Sequence, residues 1–542
     1  MRPPARRPGW LGALALLAAT AVAAVVAPAL APALARAEER RLTIVHTNDM
    51  HGHLLPGPDY LSPGEPKPAL GGAAAIAAFA AAEKARAEKE GAGFLMLDAG
   101  DFYHGAPEGD STEGVAIVEV MGLMGYHAAA LGNHELAYGV ESLKRLCAKS
   151  PFPILACNVL EEVDPPEDGG DKPPKKVERR PSYVKPYVIV ETGGVKVAIV
   201  GLVTDATPRL NLPEHTAGLK FQRPDSALRA VLPEVRRQSD LVILVTHLGS
   251  EDDLELAADP QVEGVALIVG GHDHVVLEPA PLVNETLVVQ AGEHGRRVGV
   301  VSLVFDTEKR RVVGREAFLV NLPAGAPQAA AVAEAVEKRR IKDLDVPIAE
   351  CREPVARSYR GESPAGDLVC DALREALGAD LAILNHTTVR GGFGRGPVTR
   401  RDVYACVPFQ NKLARLDLTG RELVELLEAA LASMDPNLEV SGIEIRYDPG
   451  KPRLQRAVEV RVGGRPIDYE RTYKVATTDF FAARTDRYRV LRGKEPKLDP
   501  RSPYDVLCEY LAKRSPVTRP SGYRLQAVAA PQRPGSGSRG GR

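Results

Sequence analysis

Five stretches of this 542-residue chain end an apolar run with residues that bind metals or carry protons. Asp49 and His51 close RLTIVHTNDMHG, Asp101 closes GFLMLDAGD, Asn133 and His134 close HAAALGNHE, His247 closes LVILVTH, and His272 and His274 close ALIVGGHDH. Carboxylate, imidazole and amide donors in this mixture suit divalent ions of the Mn, Zn, Fe, Mg or Co class. Two such ions about 3.5–4 Å apart clamp the attacking and leaving oxygens of an in-line phosphoryl displacement. The chemistry needs a carboxylate shared by both ions, further ligands for each, and a polar group at the leaving oxygen. A single Asp or His after a strand is usually a turn former. Five clusters, each after its own apolar run, point together to a dinuclear centre.

The order D-x-H, G-D, G-N-H-E, T-H, G-H-x-H resembles the calcineurin-like metallophosphoesterases, and IVHTNDMHGH and GNHELAYG resemble the secreted 5'-nucleotidase and UDP-sugar hydrolase branch. The resemblance covers nearly the whole mature chain. It implies that Asp49, His51 and His274 hold one divalent ion, that Asn133, His247 and His272 hold the second, and that Asp101 bridges the two. It implies that His134 is the catalytic group, stabilising charge on the phosphoryl oxygens, and not a ligand. The branch often has Gln where His274 stands, which bears on metal preference. It also has an Asp in G-N-H-E-F-D-Y-G where this chain has Ala137. A carboxylate on an imidazole fixes its tautomer and favours the cation. Its loss predicts an active but slower enzyme, with Tyr138 or Glu135 as the substitute partner. His46, His53, His104 and His127 are expected to be structural or supporting, and His294 to help a turn.

The C-terminal half carries ILNHTTVRGGFGRGPVTRRDVYACVPFQNKL, glycine-rich but without the G-K-[ST] of a Walker loop. Its Asn385, Arg390 and Pro408-Phe409 match the branch's N-x-G-G-x-R and P-F motifs, and DFFAARTDRY matches F-L-A-x-G-G-D-G-F through Phe480 and Asp486. The resemblance implies a base stacked between Phe409 and Phe480, ribose hydroxyls on Asp486, and a phosphate in the planar fork of Arg390. Arg357 and Arg360 are the candidates for a second phosphate arginine. His386, Thr387, Arg484 and Thr485 replace family glycines, which bears on base choice more than on hydrolysis. The expected partner is a small nucleotide or another phosphoester, with nucleoside 5'-phosphates first. UDP-sugars and 2',3'-cyclic nucleotides are alternatives. A non-catalytic nucleotide- or metal-binding protein on the same fold is the rival from another class, and a sulfur-ester hydrolase a third.

The elements that must position these residues follow from length and periodicity. A chain this long exceeds one ordinary core, so two domains are expected. Strands alternating with helices point to an α/β sandwich with function at the strand ends. The resemblance makes the N-terminal domain, 38–325, a four-layer α/β/β/α sandwich. A helical linker over 326–348, a smaller α/β domain over 349–528 and a disordered tail over 529–542 complete it. The family's second domain rotates to deliver substrate, and the linker is the expected hinge. Residues 1–37 join Arg2, Arg6 and Arg7 to a Leu/Ala/Val run and the small-residue site Ala35-Arg36-Ala37. That is a secretory signal peptide. It predicts an exported protein, periplasmic or secreted, with no membrane span after cleavage, and Arg6-Arg7 leaves the twin-arginine route open. A net charge of −2 with both signs interspersed argues against a nucleic-acid polymer as partner. Six cysteines show no zinc or redox spacing. Cys147 and Cys157 are close enough to bracket a loop, and buried free thiols are an equal alternative. The Pro-rich, charged stretch 161–181 is expected to be an exposed loop.

Overall fold

The computed structural model describes residues 39–59, 61–62, 67–163, 176–358, 361–432 and 438–528. The expected signal peptide, the expected tail and Arg360 lie outside the described residues.

The apolar runs form strands buried on both faces, which is why they are continuous and not alternating. Glu39–Thr47, Gly93–Asp98, Ala128–Ala130 and Ile154–Leu155 pair in parallel, and Arg297–Asp306 and Arg311–Asn321 extend the sheet antiparallel beyond the first strand. A second sheet pairs Val195–Val203, Leu241–His247, Val265–Val269 and Thr286–Val289 in parallel, with Tyr187–Thr192 and Leu282–Val283 antiparallel at its edges. Alternate side chains divide between two cores. Leu42 and Ile44 meet Val197, Ile243 and Leu267 between the sheets. Val45 turns instead to the helices, joining Ile76, Ile117 and Met121. The outer face of the second sheet packs Val200 and Leu244 on Leu228, Val231 and Val235 of the helix Pro224–Gln238. The result is helix, sheet, sheet, helix. Because the central strands are parallel, their C-terminal ends share one edge, and each of the five candidate-ligand motifs lies at such an end. Ligand sites in open α/β sheets form there.

The turn at Gly193-Gly194 joins Tyr187–Thr192 to Val195–Val203 with φ of 56° and 75°, the left-handed pair that a two-residue hairpin turn demands. The linker segment contains the helix Ala330–Arg339. Its Val332, Ala335 and Val336 are buried in the helix-side core of the first sheet. That helix is therefore docked, and the chain leaves the N-terminal core only after Arg340. The second domain is built on a five-stranded sheet in the order Leu438–Ser441, Leu381–Asn385, Thr472–Thr478, Leu413–Thr419, Lys497–Asp499, beside a smaller four-stranded sheet of Arg465–Pro466, Ala457–Val462, Ile443–Tyr447 and Leu525–Ala527. The helix Pro364–Ala376, capped by Ser363, covers one face, and Gly420–Ala430, opened by a Thr419–Glu422 capping box, covers the other.

One expectation changes, and one open choice is settled on the free-thiol side. The stretch 161–181 is not simply a loop: Val159–Val163 and Val177–Arg179 pair antiparallel beside Leu219–Phe221, and 164–175 lie outside the described residues. All six cysteines are free. Cys147 packs on the helix-side core of the first sheet and Cys157 in that of the second, so no bridge joins them. No helix among the described residues is long and apolar enough to cross a membrane.

Candidate metal centre and the pocket above it

The strand ends bring two carboxylates and a set of imidazoles into one buried cluster. Asp49, His51 and His274 form one group of converging ligand atoms, and Asp101, His247 and His272 another. Asp49 Oδ1 lies 3.3 Å from His274 Nε2 and 3.9 Å from His51 Nε2. Asp101 Oδ2 faces both groups, 3.0 Å from His247 Nε2 and 3.9 Å from His51 Nε2. Asn133 is buried with no hydrogen-bond partner for its Oδ1, an orphaned oxygen of the kind an ion would satisfy. His134 Nε2 is 3.8 Å from Asp101 Oδ2, so His134 also converges with His51 and Asp101.

The backbone aims these groups. Asp49, His51, Asp101, His272 and His274 all have positive φ, between 47° and 93°, which is costly for residues with a Cβ and persists only where the surroundings over-determine it. Gly132 opens the G-N-H-E motif because a Cβ there would sit 2.1 Å from Asp101 Oδ1. The Glu135 carboxylate accepts the backbone N–H groups of Gly132 (2.7 Å), Asp101 (3.0 Å) and Tyr103 (3.3 Å), tying two ligand loops together. The ring nitrogens are sorted as well. His51 Nδ1 donates to the His104 carbonyl at 2.9 Å, His247 Nδ1 donates to the Ala99 carbonyl at 2.8 Å, and His274 Nδ1 bonds the Glu293 carboxylate. Each bond turns Nε2 toward the centre, where it is the nitrogen that offers a lone pair once the ring is neutral.

The electrostatics ask for positive charge. Burial works against ionising Asp101, yet His247 and His134 hold its carboxyl well below the usual range. Burial alone would depress His247, but the Asp101 carboxylate overrides it and lifts the imidazole to about 10. His274, against Asp49 and Glu293, is lifted in the same way to about 9. His272, dominated by burial, falls to about 4 and is neutral. Protons on the lifted imidazoles do the work that divalent cations would do, and the O/N donor set fits such ions.

The second domain closes over this edge. A cavity of about 140 Å³ between the domains is lined by His53, His294, Arg296, Arg390, Gly391 and Arg401, among others. The Arg390 guanidinium lies over the Phe409 ring, 5.4 Å from its centroid, with no carboxylate within ion-pair distance among the described residues. Arg357 donates to the Arg390 carbonyl at 3.1 Å and sits 3.9 Å from Glu293. Phe409 is not paired with Phe480. Its ring faces His104 and His134, with centroids 5.5 and 6.0 Å away. Phe480 lies under Arg484, Asp486 pairs with Arg484 at 3.3 Å, and Asn385 bonds Thr387 and Thr388 at 2.6 and 2.8 Å. These three residues do not line the cavity beside the metal centre.

Two groups escaped the sequence reading. Glu293 backs His274 from AGEHG, which follows the parallel strand Thr286–Val289 and so repeats the strand-then-polar theme once more. His294 does more than help a turn, since its ring stacks on His53 with centroids 3.9 Å apart. The partner of His134 is neither Glu135 nor Tyr138. It is His104, Nδ1 to Nδ1 at 3.2 Å.

Comparison with known proteins matches residues 42–276 to the calcineurin-like phosphoesterase model and residues 341–493 to the 5'-nucleotidase C-terminal domain. The trifunctional nucleotide phosphoesterase protein YfkN of Bacillus subtilis is 29% identical over 497 residues, covering 83% of this chain and 32% of YfkN, so the chain spans only part of that relative's length. Protein UshA of Yersinia enterocolitica is 27% identical over 539 residues, covering 88% of this chain and 92% of its own. The crystal structure of a 5'-nucleotidase precursor from Thermus thermophilus superposes with a TM-score of 0.77 at 28% identity, covering 91% of this chain and 100% of that one.

Proposed function

The chain belongs to the calcineurin-like phosphoesterases that carry a 5'-nucleotidase C-terminal domain, a family of phosphoric ester hydrolases, and we propose that it is an exported dinuclear-metal enzyme releasing phosphate from nucleoside 5'-phosphates. The observation that carries this reading is the cluster of Asp49 and Asp101 with five imidazoles, His51, His134, His247, His272 and His274, beside an arginine, Arg390, that has no carboxylate partner among the described residues.

In this reading Asp49, His51 and His274 would hold one ion and Asn133, His247 and His272 the other, with Asp101 offered to both. Divalent ions held there would supply Lewis-acid charge at the phosphoryl oxygens and make a bound water more acidic. Arg390 receives the phosphate through its planar fork, with Arg357 behind it. His134 directs Nε2 toward the centre, where an N–H donor stabilises the oxygen that gains charge as the ester bond breaks. Phe409 covers His134 and excludes water from that face. Phe480, Asp486 and Asn385 are assigned to base and ribose, and reach substrate when the second domain turns about the segment after Arg340. Export rests on the N-terminal 37 residues.

The test is phosphate release by the mature protein with Mn²⁺ from AMP, UMP, UDP-glucose, a cyclic nucleotide and an aryl phosphate, with Asp101→Ala as control. Several ester classes are included because one relative is named trifunctional. Release that vanishes in the control supports the hydrolase, with the nucleoside 5'-phosphates expected to lead. Absence of turnover on every ester, with two ions bound, favours a binding protein.

A further inference from the structure

GNHELAYG leaves His134 without an acid at position 137, and another loop fills the place. His104 and His134 meet Nδ1 to Nδ1 at 3.2 Å, their rings 18° from parallel with centroids 5.3 Å apart. His104 is 7% exposed and held at φ 72°, a conformation uncommon for a residue with a Cβ. Its carbonyl accepts from His51 Nδ1, so one residue sets the ring of His51 through its backbone and meets the ring of His134 through its side chain. Tyr138 stands edge-on behind it at 5.6 Å, and Phe409 of the second domain covers both imidazoles.

Two neutral imidazoles joined Nδ1 to Nδ1 need one protonated nitrogen and one bare one. We infer that His104 is the positioning residue for His134: its Nδ1–H donates to the bare Nδ1 of His134 and so keeps the proton of His134 on Nε2, the nitrogen that faces Asp101 and the metal centre. A carboxylate at position 137 would do the reverse, accepting from Nδ1–H and favouring the cation. The donor arrangement gives His134 an Nε2–H aimed at the reacting phosphoryl group without requiring a positive charge. It also explains why Phe409 shelters the pair, because water at either Nδ1 would compete for the bond.

The tautomer is read directly from long-range proton–nitrogen correlation spectra of histidine-labelled, metal-free protein, with the His134 signals assigned by their loss in His134→Gln. Wild type is expected to show Nε2–H on His134. His104→Asn keeps a donor and tolerates the left-handed backbone, so Nε2–H is retained. His104→Asp offers only an acceptor, and the proton moves to Nδ1. In kinetics, His104→Ala lowers kcat roughly tenfold to a hundredfold with KM within about twofold, and His104→Asn restores most of the loss. Nδ1–H in wild type, an unchanged tautomer in His104→Asp, or full kcat in His104→Ala would overturn the inference. The kinetic arm rests on the hydrolase reading. If wild type turns over no ester, that reading fails by itself and the spectra still decide the hydrogen bond.

Discussion

Asp49, Asp101 and His247 hang from the ends of parallel strands in one sandwich, whereas Asn385 at a strand end, Phe480 in a one-turn helix and Asp486 in the turn after it stand apart in a separate domain. The first set is assembled in advance. Its rings are pinned by carbonyls and a carboxylate, its backbone is held in positive-φ conformations, and its loops are tied by Glu135. The second set spends its hydrogen-bonding groups locally, Asp486 on Arg484 and Asn385 on Thr387 and Thr388. Chemistry that tolerates no misplacement is built on rigid strand ends. In the proposed function, recognition that must release product falls to groups that would exchange local partners for substrate.

Substitutions in the two regions should therefore separate by size and by kind. Asp101→Ala removes the one carboxylate facing both ligand groups, and kcat is expected to fall by about a thousandfold or more on every phosphoester, with metal analysis showing loss of bound ion. A smaller fall, or retention of two ions, would mean that the centre is less dependent on its shared carboxylate than the geometry implies. The next largest effect is on metal binding. His247 and His274, lifted to about 10 and about 9 in the metal-free chain, must lose protons to act as ligands. Both values lie above neutrality, so affinity for Mn²⁺ rises with pH. Titration calorimetry should show a gain of about tenfold per pH unit for each proton displaced between about pH 6 and about pH 8. A flat profile would show that both imidazoles are already neutral.

Glu293→Gln keeps the shape behind His274 but weakens the carboxylate–imidazole bond. Retention of metal under chelator should fall by roughly tenfold to a hundredfold, with AMP and aryl phosphate affected equally. The mildest effect belongs to the second domain. Asp486→Ala is expected to raise KM for nucleoside 5'-phosphates by roughly tenfold, the loss of about one charge-assisted hydrogen bond, while the aryl phosphate rate stays within about twofold. Equal loss on both substrates would erase the division of labour between the two regions.

Much of this architecture is legible in the sequence. The doubly buried strands announced themselves as unbroken apolar runs, the helix Ala73–Lys89 as an alanine-rich stretch ended by Gly91, and the hairpin by Gly193-Gly194. Other features had no local sign. Val159–Val163 pairs with Val177–Arg179 across a charged, Pro-rich insertion whose composition suggests only a loop. The helix Ala330–Arg339 shows a connector's position in the chain, and only the core shows that Val332 and Val336 are buried.

By itself the sequence singled out the candidate ligands and the edge of the fold where they lie. A parallel strand buried on both faces must be apolar throughout, so the first polar residues after it fall at the sheet's C-terminal edge, and the five stretches read from the sequence converge there. Tertiary structure alone decided which groups serve the ligands. His104 reaches His134 across 30 positions of chain, and Glu293 reaches His274 across 19. Hydrogen bonds between loops follow no residue period, because their spacing is set by how strands stack and not by the geometry of one strand or helix. The same reason hid the turning of Phe409 onto His134, since that contact exists only where two domains meet.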